Sequence, residues 1–77
     1  MSFTGPTTQK NVLANGSTFK LFLMQQNGGY WVATFLWIKD SVAKAHHESR
    51  LSKVESYDAA VEWIHHNIDA NASVDPL

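Results

Sequence analysis

The histidines come as two adjacent pairs, His46-His47 and His65-His66, and imidazole is the side chain best suited to hold a metal or move a proton near neutral pH. Glu48 and Asp69 stand close enough in sequence to complete a site of imidazole and carboxylate. The spacing argues against it. Adjacent residues point to opposite faces of a strand and lie about 100° apart on a helix, so neither pair chelates by itself. Surface histidine is the simpler reading: His65 and His66 fall late in a helix, where the dipole welcomes a proton, and Glu62 precedes His66 by four residues. Four histidines in a short chain also suggest a contact whose strength changes between about pH 5 and 8.

Other catalytic chemistry finds no constellation. Gly-x-Ser-x-Gly, P-loop, Gly-x-Gly-x-x-Gly and His-Glu-x-x-His patterns are all missing from the sequence. Without cysteine there is no thiolate ligand, no cysteine nucleophile and no disulfide framework. Asp58 and Glu62 stand one helical turn apart, which on a solvent face is mild repulsion rather than an acid–base pair. The expectation is a non-catalytic chain with no cofactor and no bound metal.

The aromatic residues have more reach. Six of the nine fall between Phe19 and Trp37, so their placement follows from two adjacent strands. Such a cluster packs on another protein, stacks on unpaired bases, or fills a core. Six basic residues against seven acidic ones, net charge −1, weigh against nucleic acid, because phosphate binding wants clustered cations.

The elements that position these residues follow from the turns. The 77 residues make one small α+β domain spanning 11–70, with a flexible lead-in over 1–10, broken by Gly5 and Pro6, and a flexible tail over 71–77. Asn15-Gly16 and Asn27-Gly28-Gly29 read as hairpin turns, and Lys39-Asp40 as a weaker break. Thr18–Met24 and Tyr30–Ile38 are strands by their aromatic and branched content. Residues 40–51 read as a further strand or, on propensity, a short helix. Ser56 is the expected N-cap of a helix whose apolar stripe is Tyr57, Ala60, Val61, Ile64 and Ile68. The fold class is therefore a three- to four-stranded antiparallel meander followed by one C-terminal helix packed on one sheet face.

With a two-residue turn after Gln26 or Asn27, parity places Val12, Ala14, Phe19, Leu21, Leu23, Val32, Leu36, Ile38, Ala43 and Ala45 on the face beneath the helix. Trp31, Phe35, Trp37, Phe22 and Met24 then form an aromatic face on the other side, framed by Lys20 and Lys44 as possible cation–π partners. Three covers suit such a patch. The chain's own N-terminus or the 49–55 segment, with Leu51 and Val54, would fold over it; a second copy or another protein would dock; or single-stranded nucleic acid would stack there. A homodimer or protein partner fits the charge balance better than nucleic acid. No run of apolar residues reaches the roughly 18–20 of a membrane span, and the start lacks a signal-peptide pattern, so a soluble cytoplasmic protein is expected.

Overall fold

The chain reverses direction three times before residue 42, and each reversal decides which side chains share a face. The computed structural model describes residues 7–77. Four strands, β1 (Thr7–Ala14), β2 (Ser17–Gln25), β3 (Trp31–Lys39) and β4 (Val42–Arg50), are followed by helix α1 (Lys53–Asn67) and a two-residue strand β5 (Ser73–Val74). The sheet is antiparallel, in the order β4-β3-β2-β1-β5. This is the expected α+β meander followed by a C-terminal helix on the sheet, with residues 42–50 as strand.

Asn15-Gly16 and Asp40-Ser41 have positive φ at both central positions, as two-residue type I′ turns require. They close on the pairs Ala14↔Ser17 and Lys39↔Val42. The third turn thus sits one residue later than Lys39-Asp40, with the parity unchanged. The loop between β2 and β3 differs. The Gln26 amide donates to the Tyr30 carbonyl at 2.7 Å, so Asn27, Gly28 and Gly29 all lie inside the loop. Gly28 and Gly29 sit at φ 93° and 91°, where an L side chain is strained.

Three residues instead of two turn β3 over. Leu21 faces Phe35, Leu23 faces Ala33 and Gln25 faces Trp31, while Phe22 pairs with Thr34 and Met24 with Val32. Trp31, Phe35 and Trp37 therefore join Phe19, Leu21 and Leu23 beneath the helix, and Val32, Leu36, Ile38, Ala43 and Ala45 lie on the opposite side. This corrects the expected face assignment: a one-residue slip exchanges every side chain of a strand between faces. The buried core is Val12, Ala14, Leu21, Leu23, Ala33 and Phe35 from the sheet, with Ala60, Ile64 and Ala72.

The helix begins earlier than expected. Ser52 is the N-cap; its hydroxyl accepts from the Glu55 amide at 3.1 Å, in a Ser-x-x-Glu pattern. Ser56 lies on the buried stripe with Ala60 and Ile64, and its hydroxyl donates to the Trp31 carbonyl at 2.6 Å. Ser56→Ala should cost about 1–3 kcal/mol, because the carbonyl loses its donor inside the contact. Urea unfolding checks this; a change within about 0.5 kcal/mol would mean the bond adds nothing.

Parts of the expected lead-in and tail belong to the sheet. Thr7–Lys10 extend β1, and residues 1–6 lie outside the described residues. In the tail, β5 pairs with β1 through Val12↔Val74, and the Tyr57 hydroxyl donates to the Asp75 carbonyl at 2.7 Å. Asp69 locks the helix exit to the first turn. Its carboxylate accepts from the Asn15 and Asn71 amides at 2.8 and 2.9 Å, and these bonds hold its pKa below the usual carboxylate value.

Candidate functional site: the open sheet face and the β4 edge

The residues expected to act together are divided between two faces. Phe35 is wholly buried, edge-on to Phe19 and Trp63 at ring separations of 6.0 and 6.2 Å. Trp31 and Trp37 pack around the same core, with Lys53 Nζ 5.2 Å from the Trp31 ring and Lys44 Nζ 6.0 Å from that of Trp37. Lys44 also donates to the Asn67 carbonyl at the end of α1. Phe22, Met24 and Lys20 lie on the opposite face, where Lys20 donates to Asn11 Oδ1 at 2.6 Å.

Among the described residues that opposite face carries no helix, and Leu51 and Val54, the expected covers from 49–55, are themselves exposed. The register places Leu13 on β1, Phe22 and Met24 on β2, Val32, Leu36 and Ile38 on β3, and Ala43 and Ala45 on β4 together there. Leu13, Leu36 and Ile38 are 53%, 53% and 59% exposed. Lys20 is the one Asp, Glu, Lys or Arg among the described strand residues of this face, and the only other titratable side chain is His47, bonded to Thr34 at 2.9 Å. Sequence reasoning placed Leu13 on the face away from the helix but missed Val32, Leu36 and Ile38 as members of a contact surface. One signal was available: only a three-residue loop gathers Leu21, Leu23, Trp31, Phe35 and Trp37 on one side and gives the helix its full apolar platform.

The second feature lies where α1 crosses β3 and β4. His46, Glu48 and Arg50 from β4 and Ala59, Glu62, Trp63, His66 and Asn67 from α1 line an open cavity of about 200 Å³. His46 is only 4% exposed although it sits on an edge strand, because Trp63 covers it with ring centroids 5.4 Å apart. That burial holds the imidazole pKa below its ordinary value, against the pull of Glu48. Among the described residues His46 Nε2 has no hydrogen-bond partner; Glu48 Oε1 stands 3.9 Å away and is held by Arg50 at 3.1 Å.

The histidine pairs separate as adjacency dictates: His46 under the helix, His47 on the open face, His65 bonded to the Ala72 carbonyl, and His66 exposed. Among the described residues no three histidine or acidic side chains converge as metal ligands, and no helix is long and apolar enough to cross a membrane. No family model, curated protein or solved structure matches the chain. The surfaces themselves therefore carry the functional reading.

Proposed function

We propose that this chain is a non-catalytic binding module that self-associates through its open sheet face, two copies stacking sheet on sheet. The observation that carries this reading is the composition of that face. Apolar side chains on three adjacent strands lie uncovered by the described residues, with Lys20 as the one formal charge. Charge depletion marks the centre of protein interfaces, and two such faces meet with Lys20 of each copy as the one charge to accommodate. Nucleic acid is the poorer occupant. Stacking platforms combine several aromatics with tracking cations, whereas this face offers Phe22 and Lys20 while the tryptophans lie on the other side.

The expected result is an assembly of two or more copies by sedimentation equilibrium at tens of micromolar, persisting at high salt because the stacked contact is apolar. Leu36→Lys places a charge within the stacked faces and should halve the assembled mass, while unfolding midpoints compared at concentrations low enough to dissociate the parent shift little, because the side chain is exposed in the monomer. Unchanged mass in this variant overturns the reading. So does a strictly monomeric full chain, including one that associates only after residues 1–6 are removed.

A further inference from the structure

We infer that the outer edge of β4 is a second self-association surface, at which β4 of another copy adds antiparallel about a two-fold axis at His46. The inference stands apart from the stacked-face reading, since it uses an edge rather than a face.

Strand β4 is nine residues long and borders the sheet on one side, whereas the far side ends in the two-residue β5. A type I′ turn closes on a hydrogen-bonded pair, here Lys39↔Val42, and antiparallel ladders alternate. Ala43, Ala45, His47 and Ser49 accordingly turn their amides and carbonyls away from β3. An edge of this length normally carries a proline, a bulge, a cover or charged side chains, and the charges of β4, Lys44, Glu48 and Arg50, are of mixed sign. β4 has no proline, and its pairing with β3 runs without a break from Val42 to Arg50.

The side chains select the partner and the register. Those on the helix face run Val42, Lys44, His46, Glu48 and Arg50. Folded about His46, this series sets Lys44 of each copy opposite Glu48 of the other, giving two identical opposite-charge pairs. Moving the axis to Ala45 removes both pairs, and moving it to His47 sets Lys44 against Arg50. Like-signed gatekeepers would repel an added copy in every register; this edge is complementary to itself in one. The cavity beside it carries both signs of charge: Glu48 and Glu62 line it with Arg50, which holds Glu48 at 3.1 Å, so an incoming Lys44 must leave its own Asn67 carbonyl and share Glu48 with that arginine.

The test uses the full chain carrying Leu36→Lys, so that face stacking is blocked and only edge pairing is read. That protein is expected to be a dimer. Lys44→Glu or Glu48→Lys, added singly, should each weaken dimerisation by about tenfold or more, since two attractive cross-strand pairs become two repulsive ones. Mixing the two variants restores opposite charge in both pairs, so a heterodimer of near-original affinity should form. Ala45→Pro removes an outward amide without touching the β3 ladder and should leave a monomer. A monomer in the Leu36→Lys background, or a mixture that associates no better than its components, overturns the inference. Either result leaves the stacked-face reading to stand on the halving of mass by Leu36→Lys.

Discussion

Phe35→Ala is expected to abolish most of the folded population, while Leu36→Ala, one residue away, leaves it nearly intact. Phe35 is wholly buried at the centre of the sheet, with Phe19 and Trp63 set edge-on against it. Replacing such a ring costs about 3–5 kcal/mol in lost transfer and residual cavity. A domain of this size commonly holds only about 3–5 kcal/mol in total, so the variant should lose its cooperative urea transition and show red-shifted tryptophan emission. Leu36 is more than half exposed in the single chain, and its truncation should cost the dissociated monomer about 0.5 kcal/mol or less. The contrast tests the three-residue loop directly. A two-residue loop would bury Leu36 and expose Phe35, so equal or reversed effects would show β3 to be the other way over.

That loop also explains how far the sequence could be read. The two central strands, the meander order and the C-terminal helix follow from composition and turn signals, whereas Thr7–Lys10, the strand character of residues 42–50 and β5 did not. Within each outer hairpin the face relations follow too: Val12 with Phe19, and Phe35 with His46. Between β2 and β3 the local rule was indifferent. Asn27-Gly28-Gly29 accommodates a loop of two residues or of three, and the difference is decided by packing that no local pattern contains. The helix start failed for a related reason. Ser52 and Ser56 are both good caps, and what separates them is the Trp31 carbonyl waiting for the Ser56 hydroxyl across the core. The β4 edge was hidden more deeply, since its charges acquire meaning only once the strand is known to border the sheet.

Trp63→Ala couples stability to pH and is the second large effect. Trp63 is half-buried, packs edge-on to Phe35 and covers His46, so its loss should cost about 3 kcal/mol, near the low end for a large aromatic. The same change should flatten the acid side of the stability profile. In the unfolded chain His46 titrates near 6.5, whereas in the fold desolvation beneath Trp63 holds its pKa lower. Between those two values the unfolded state binds more protons, so this contribution is complete above about pH 6.5 and is lost as pH falls through the folded pKa. The charged neighbours pull both ways. Glu48 favours the imidazolium, Arg50 and His47 oppose it, and Glu62 and His66 face the same cavity from α1. With the indole gone the imidazole meets water, Glu48 becomes the leading influence, and the pKa moves up toward the unfolded value. Urea midpoints measured between about pH 5 and 7 should therefore fall more steeply in the parent than in the variant. The His46 ring protons, followed by NMR, should titrate at higher pH in Trp63→Ala. Parallel stability profiles with an unmoved His46 titration would show that the indole does not keep this imidazole dry.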